Sequence, residues 1–324
     1  MAYARYRATL ALATPLGTPL AGDTLFGQLC WALREAQGEA QLIRRLEGYT
    51  QGRPWLVVSD GFPAGYLPKP TLPQYFDVQS DSTERKAAKK KHWIPVACAD
   101  KALDSLLASA ADDATAYSVP DDGLSRVPVK TQQTHNTIDR LTGTTGEDEF
   151  APYSMSLTTH ATGQLIDVYF VLDEERTRLH EISAILAAIG TSGFGRDASI
   201  GLGKFSLERI ETAHFTVPIH ANAFWTLAPS APQGLDFDGK RSFWRVLTRF
   251  GRHGNIHALT GKPFKTPILL ADTGAILSPS ESFSPQPFVG QGLGADGTLS
   301  KAEPATVQQG YAPVLPIALP RGTP

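Results

Sequence analysis

The chain has 324 residues, of which 42% are hydrophobic and 19% charged, and its formal net charge is −2 with a pI near 6.4. This length can bury a core and is sufficient for two domains. Two cysteines and no apolar run of 18 residues exclude a disulfide scaffold and a membrane-spanning helix, and predict a cytoplasmic protein with reduced thiols. Without a paired-cysteine motif we expect no structural zinc, and we expect no other metal or cofactor.

The first 60 residues predict a strand, a helix and a second strand. Residues 3–13 have strand-like composition, and residues 54–59 form a short apolar strand. Between them, Asp23 is expected to cap a helix. The apolar face of this helix consists of Leu25, Phe26, Leu29, Cys30 and Leu33.

A second unit of the same kind is predicted over residues 164–210. Residues 164–172 predict a strand, Asp173 is expected to cap an amphipathic helix, and residues 204–210 alternate polar and apolar as a half-buried strand does. The order is βαβ, a long insertion, then βαβ, which is the split ferredoxin-like plan. We therefore predict an α+β protein with a ferredoxin-like domain over residues 1–211 that contains an insertion at about 61–163.

A glycine-rich loop connects the second predicted helix to the last strand. Glycine tolerates positive φ and has no side chain, so the loop can bring backbone N–H groups against a phosphate while two cations supply charge. The predicted ligand is a phosphodiester backbone. The candidate binding residues are Gly193, Phe194, Gly195, Arg196, Ser199, Gly201, Gly203 and Lys204.

Two better-known phosphate-binding loops do not fit this segment. Residues 193–198 satisfy the loose dinucleotide pattern G-x-G-x-x-A, but a dinucleotide loop follows a strand and opens a helix, and here the order is reversed. A P-loop is excluded because Phe205 follows Lys204 and no glycine stands at position 198.

The insertion predicts a projecting hairpin over residues 130–159, with glycine turns at 143 and 146 and a return strand at 153–159. The hairpin either contacts a ligand through its tip or is a brace between parts of the domain, with Asp139 and Arg140 paired locally. Its candidate contact residues are Lys130, His135, Asn136, Thr137, Ile138, Asp139 and Arg140.

This arrangement resembles the RAMP superfamily of CRISPR proteins, and in particular the fourth subunit of the type III-A (Csm) interference complex. Beside the glycine loop, the matching motifs are residues 22–27, 65–70 and 137–143, and the resemblance covers roughly residues 1–210. These motifs add Asp23, Thr24 and Lys69 to the RNA-binding candidates.

The resemblance implies a non-catalytic crRNA-binding subunit in antiviral defence. Such a subunit holds the 5′ repeat-derived tag of the crRNA, joins the large cyclase-bearing, polymerase-like subunit to the backbone RAMP subunits, and meets target RNA indirectly. It also implies an RRM-like first domain and a second, degenerate ferredoxin-like domain at residues 212–324. The hairpin would have a thumb-like role, in which its candidate residues contact RNA and a wedge of Ile138 with Arg140 separates stacked bases of a single strand.

Two other functions are kept as alternatives. Some RAMP relatives cut precursor crRNA without metal, using His, Tyr or Lys near the first helix, but residues 14–42 contain none of these. The remaining candidates, His92 and His135, have no evident paired base. The second alternative is an assembly protein that contacts only other subunits, with the glycine loop as a tight structural turn.

Two segments are locally basic despite the negative net charge. Residues 239–267 carry seven Lys/Arg and no Asp or Glu, with interleaved aromatics that serve either as stacking platforms or as core. Residues 85–92 form a second basic run, which is either a phosphate-binding face or a solvated helix or loop. Toward the end, residues 290–294 predict a loop and residues 310–317 a buried final segment.

Overall fold

The computed structural model describes residues 3–76, 86, 88–118, 126–146, 151–252 and 264–320. Strands dominate, and no helix in these residues is long and apolar enough to cross a membrane. The helices are α1 (Gly22–Gln37), α2 (Glu39–Leu46), α3 (Leu103–Ala108), α4 (Asp113–Ala116) and α5 (Leu179–Ser192). The strands are β1 (Tyr3–Leu12), β2 (Leu56–Pro63), β3 (Tyr66–Pro68), β4 (Lys91–Pro95), β5 (Ala111–Asp112), β6 (Val129–His135), β7 (Tyr153–Thr159), β8 (Leu165–Asp173), β9 (Phe205–Thr212), β10 (Ala223–Thr226), β11 (Val246–Arg249), β12 (Ile268–Ala271), β13 (Ile276–Leu277), β14 (Phe288–Gly294) and β15 (Val307–Ile317).

The first sheet has the strand order β2-β8-β1-β9, and every neighbouring pair is antiparallel. α1 follows β1, and α5 lies between β8 and β9, as the sequence predicts. Both helices bury their apolar stripes against the sheet in one core, and all five residues of the predicted α1 face are buried. The period of 3.6 in each helix and the apolar content of β2 and β8 explain why these elements were predictable.

The starts of the two helices differ from the sequence prediction. Asp23 lies inside the first turn of α1, and the carboxylate that accepts from the Gly22 N–H belongs instead to Asp60, with Oδ1 2.7 Å away. Asp173 ends β8 and holds a turn by accepting from the Thr177 N–H at 3.0 Å, so α5 begins only at Leu179. An acid ahead of an apolar run is a common cap signal, but a tertiary neighbour or a turn can take its place.

The insertion contains a small sheet, β3-β4-β5, and the two-stranded hairpin β6-β7. The hairpin prediction is confirmed, because β6 and β7 pair in continuous register from Val129 opposite Thr159 to His135 opposite Tyr153. Of the basic run at 85–92, the structure describes residues 86 and 88–92.

The second sheet has the order β13-β10-β15-β14, and β11 and β12 form a separate ribbon. The predicted loop at residues 290–294 is instead part of β14, whereas the buried final segment is confirmed as β15. A Cβ on Gly290 would lie 2.2 Å from the Gly310 carbonyl oxygen, so glycine here serves close strand approach rather than a turn. The described residues after 212 contain no α-helix. The domain boundary at 211/212 stays a prediction.

β15 joins the two sheets. The buried Gln309 side chain accepts from the Val58 N–H at 2.8 Å and donates to the Val58 carbonyl at 2.7 Å, closing the free edge of β2. Tyr311 packs in the core of the first sheet, and its hydroxyl donates to the Tyr49 carbonyl at 2.7 Å. The unpaired edge of β2 is thereby hydrogen-bonded rather than left open.

An ion pair also crosses from α1 to β11. Asp23 is buried, and Arg249 donates from Nη2 to its Oδ1 at 3.0 Å, while Arg249 Nε lies 2.7 Å from Oδ2 without a hydrogen-bonding angle. Gln308 of β15 donates to the same carboxylate at 3.3 Å. Asp23 therefore links the first helix to two strands of the second half of the chain.

We expect Asp23→Ala to destabilise the protein, because the partly buried guanidinium of Arg249 would lose its carboxylate partner. The side chain of Arg249 is 27% exposed. The expected cost is therefore about 2–3 kcal/mol, below the about 3–5 kcal/mol of a fully buried pair. Urea unfolding of the single variants and of Asp23→Ala/Arg249→Ala measures it. Glu39→Ala, which breaks the exposed Arg34–Glu39 pair, is the control, and an equal loss in both variants would contradict the role given to Asp23.

Candidate RNA interface

The glycine loop leaves α5 at Gly193 and enters β9 at Phe205. Gly193, Gly195, Gly201 and Gly203 have φ values of 103°, 76°, 100° and 71°. These angles lie in the region that glycine alone adopts without strain. As the sequence predicts, these four positions therefore need glycine because their φ angles are positive.

The glycines also allow the loop to pack on itself. A Cβ on Gly203 would lie 2.1 Å from the Phe194 carbonyl oxygen, and one on Gly193 would lie 2.4 Å from the Leu202 carbonyl oxygen. A Cβ on Gly195 would meet the side chain of Thr18 at 2.6 Å, whereas a Cβ on Gly201 would meet nothing within 4 Å. Three of the four glycines are thus required by close packing, and the neighbour of Gly203, Phe194, is fully buried.

The backbone donors of the loop are largely used inside the protein, which corrects the expectation of a backbone cradle for phosphate. Intramolecular acceptors take the N–H groups of Gly193, Phe194, Arg196, Ile200, Gly201, Leu202, Gly203 and Lys204. Contacts from this loop to a ligand therefore fall mainly to its exposed side chains, Arg196, Ser199 and Lys204.

The glycine loop meets the base of the hairpin. The Arg196 guanidinium donates from Nη2 to the Ser156 carbonyl of β7 at 2.6 Å, which ties the two segments together. Lys130 of β6 lies opposite Thr158, and Thr158 exchanges two backbone hydrogen bonds of 2.9 Å with Leu16 after β1. We call this place the loop–hairpin junction. It consists of Arg196, Ser199, Lys204 and Lys130 with the β1–α1 connection beneath them.

The tip of the hairpin is a compact turn organised by Asp139. Its Oδ1 accepts from the Leu141 N–H at 2.8 Å, and its carbonyl accepts from the Gly143 N–H at 2.8 Å. Among the residues that the structure describes, no ion pair joins Asp139 to Arg140, which removes the local pairing assumed by the brace alternative. Ile138 is 60% exposed and Leu141 97% exposed.

Three of the tip candidates, Asn136, Thr137 and Arg140, are exposed to solvent beside Ile138. His135 and Tyr153 are the last residue pair of β6 and β7 before the tip, and their rings stack with centroids 5.3 Å apart and an interplanar angle of 11°. The tip therefore presents apolar and polar side chains outward, with an aromatic pair at its neck.

The other predicted contacts lie at the junction of the two sheets. Both carboxylate oxygens of Asp23 face protein groups, and the Thr24 N–H donates to the same carboxylate at 2.9 Å. Lys69 lines an open cavity of about 590 Å³. The other basic residues of its wall are Lys89, Lys91, His92 and Arg245. The structure thus separates the candidate residues into two groups. One group lies at the loop–hairpin junction and the hairpin tip. The other, which consists of Asp23, Thr24 and Lys69, lies where the two sheets meet.

Asp60 also lines the cavity, and sequence reasoning missed it. Burial raises its pKa to about 7, against the lowering effect of hydrogen bonds from the Thr273 hydroxyl and the Gly22 N–H. No motif marks Asp60, because its partners come from residues 22 and 273 and meet only in the fold. The described residues contain no group of three or more His, Cys, Asp or Glu that could hold a metal ion.

No protein-family model and no curated protein matches the sequence. Solved structures do match. A chain from the crystal structure of the Csm1–Csm4 cassette in complex with pppApA aligns over 98% of this chain and 100% of its own, at 15% identity and a TM-score of 0.59. In the cassette with cA4 the coverage is the same, with 16% identity and a TM-score of 0.58.

A chain of the Csm3–Csm4 subcomplex from the type III-A CRISPR-Cas interference complex aligns over 96% of this chain and 100% of its own, at 13% identity and a TM-score of 0.56. The chain therefore shares its fold with chains of these complexes. Csm4 is the subunit that these complexes share, and the fold is Csm4-like, as the motifs predict.

The loop glycines offer a matched pair of substitutions. Gly201→Ala adds a side chain into open space at positive φ and should cost about 1–2 kcal/mol of stability. Gly203→Ala adds the collision with the Phe194 carbonyl to the same strain, and should cost about 1–3 kcal/mol more. Chemical unfolding monitored by circular dichroism measures both. Equal losses would show that the loop is not closed on itself in this way.

Asp60 predicts a pH dependence of stability. Its folded pKa of about 7 lies above the ordinary 3.8, so the folded state binds the proton more tightly than the unfolded state. Its contribution to stability is present below pH 3.8 and is lost as pH rises to 7, by at most about 1.4 kcal/mol per pH unit.

We expect Asp60→Asn to reduce the fall in Tm between pH 5 and pH 8, because the neutral amide has no proton to lose. The exposed Asp236→Asn is the control and should keep the wild-type profile. A profile of Asp60→Asn parallel to wild type would contradict the assignment.

Proposed function

We propose that this chain is a non-catalytic crRNA-binding subunit of a type III CRISPR-Cas effector complex, of type III-A. It would hold the 5′ repeat-derived tag and bridge a large cyclase-bearing subunit to the backbone RAMP subunits, while meeting target RNA indirectly. The observation that carries the proposal is the fold shared along nearly the whole chain with structures from both a Csm1–Csm4 and a Csm3–Csm4 complex. One subunit of this shape contacts a different partner in each.

The ferredoxin-like assignment of the first domain is part of this proposal. Two βαβ units, β1-α1-β2 and β8-α5-β9, form one sheet in the order β2-β8-β1-β9, which supports the assignment. The second sheet would be a degenerate copy without its helices in the part of the chain that the structure describes. The division into domains 1–211 and 212–324 follows from this assignment of one ferredoxin-like unit to each sheet.

The loop–hairpin junction is the proposed contact for the tag. Arg196, Lys204 and Lys130 supply cations on adjoining segments, and the exposed Ser199 supplies a hydroxyl. Phosphates of a single strand are attracted by such a group through charge and counterion release. The exposed Ile138 and Arg140 at the tip would then separate bases that follow the tag.

The non-catalytic role rests on the chain around the first helix, where residues 14–42 contain no His, Lys or Tyr for proton transfer.

One observation favours the assembly-only alternative. Eight N–H groups of the glycine loop are bonded internally, as a structural turn requires. The two functions therefore differ in whether the exposed cations contact RNA, which is what the experiment has to measure.

We expect the charge reversals Lys130→Glu and Lys204→Glu together to weaken binding of a labelled repeat-tag RNA about tenfold, since two phosphate contacts are lost. Filter binding across a salt series measures the affinity, and the salt slope should also fall. Lys301→Glu reverses an exposed charge elsewhere and is the matched control.

An affinity that is unchanged in the folded double variant, with pull-down of partner subunits intact, would favour the assembly-only function. The same incubations report cleavage, and intact RNA is expected with and without divalent metal. Site-specific cleavage that His135→Ala abolishes without loss of RNA binding would favour the endoribonuclease.

A further inference from the structure

The β11-β12 ribbon has two unlike faces. Along β11, residues alternate between the body of the protein and solvent, as side chains of a strand do. Arg249 pairs with the buried Asp23, and Leu270 of β12 is buried, so these residues form the inner face. On the outer face Val246 is 69% exposed and Leu269 of β12 is 57% exposed.

The outer face continues beyond the two strands into an aromatic region. Phe250 is 71% exposed and Phe264 is 69% exposed. The backbone there stays paired, because Arg252 bridges to Phe264 and the Lys265 N–H donates to the Gly251 carbonyl at 2.8 Å. Two large aromatic rings are therefore held open to solvent on an ordered backbone rather than turned into the core.

All charged residues of the segment that contains β11 are positively charged. Residues 240–252 contain five Lys/Arg and no acid. The Arg252 guanidinium lies 5.9 Å from the centroid of the Phe264 ring. At the other end of the ribbon Arg245, whose side chain is 72% exposed, lies 3.4 Å from Asp272, the acid that follows β12. Cations thus flank the aromatic face at both ends.

We propose that this outer face binds an unpaired nucleic-acid strand, with bases stacked on Phe250 and Phe264 and phosphates near Arg252. Every base offers a π-face, so such a platform is tolerant of sequence, and its cations favour a polyanion. A second copy of the same ribbon would bring like charges together. A double strand is disfavoured because its bases are already stacked on each other.

This site is separate from the loop–hairpin junction and does not depend on the proposed tag contact. The test therefore uses the full chain in the Lys130→Glu/Lys204→Glu background, which weakens the tag contact but leaves the ribbon unchanged. The probe is a fluorescein-labelled 12-nucleotide RNA unrelated to the repeat, with a DNA strand of the same sequence and an RNA duplex as further arms. Anisotropy at 150 mM salt gives the affinities.

We expect Phe250→Ala/Phe264→Ala to weaken binding of the single strand by about tenfold or more, which corresponds to the loss of one to two stacked bases. Phe250→Trp/Phe264→Trp keeps both rings and should retain binding. Val246→Ala/Leu269→Ala removes apolar area from the same face without removing a ring, and it is the matched control. Ultraviolet crosslinking followed by mass spectrometry should place the strand on peptides that contain Phe250 or Phe264.

Binding of either the RNA or the DNA strand that depends on the rings supports the proposal, and the ratio of the two affinities shows whether the 2′-hydroxyl contributes. The proposal is overturned if the background protein does not bind the single strands, if the duplex binds equally well, or if the folded double alanine variant binds as tightly as its background. A loss in Val246→Ala/Leu269→Ala equal to that in the aromatic variant would also overturn it, because binding would then depend on apolar area in general and not on stacking against the two rings.

Discussion

The edge strand β2 is hydrogen-bonded to the second half of the chain, chiefly through the side-chain amide of Gln309 and also through the Asp60 N–H, which donates to the Leu227 carbonyl at 2.9 Å. Gln309 supplies one donor and one acceptor to the backbone of Val58, as a paired strand would, although β15 belongs to the other sheet. An unpaired buried edge is costly, so this contact fixes where β15 lies. Tyr311 then fills the first core, and Gln308 and Arg249 meet around the carboxylate of Asp23.

These contacts between β15 and the first half of the chain, which we call the joint, also affect how the candidate binding surfaces are placed. The joint holds the inner face of the β11-β12 ribbon through Arg249, so that the aromatic side faces outward. The open cavity that Lys69, Asp60 and Arg245 line lies near the start of α1, where Asp60 accepts from the Gly22 N–H. The loop–hairpin junction lies outside the joint, on the β1–α1 connection and the base of β7. The protein thus presents separate basic surfaces on a single framework despite its negative net charge.

The glycine loop shows how one sequence feature supports two physical explanations. Positive φ at all four glycines was implied by the residue type, because other residues are strained there. Whether the freed backbone donors face a ligand or the protein depends on neighbours that the loop sequence does not contain. Thr18 and Thr14 accept from the N–H groups of Arg196 and Lys204. The loop is therefore a closed turn that carries cations, rather than an open cradle.

Local sequence patterns specify those elements that depend on residues close together in the chain. The period of 3.6 specified α1 and α5, alternation and apolar content specified β1, β2, β8 and β9, and the turn residues between two polar strands specified the hairpin. Tertiary contacts account for the helix starts, the pairing of Asp23 with Arg249, the raised pKa of Asp60 and the strand character of residues 290–294. Each of these depends on a partner far away in the chain, and such contacts leave no periodicity in the local sequence.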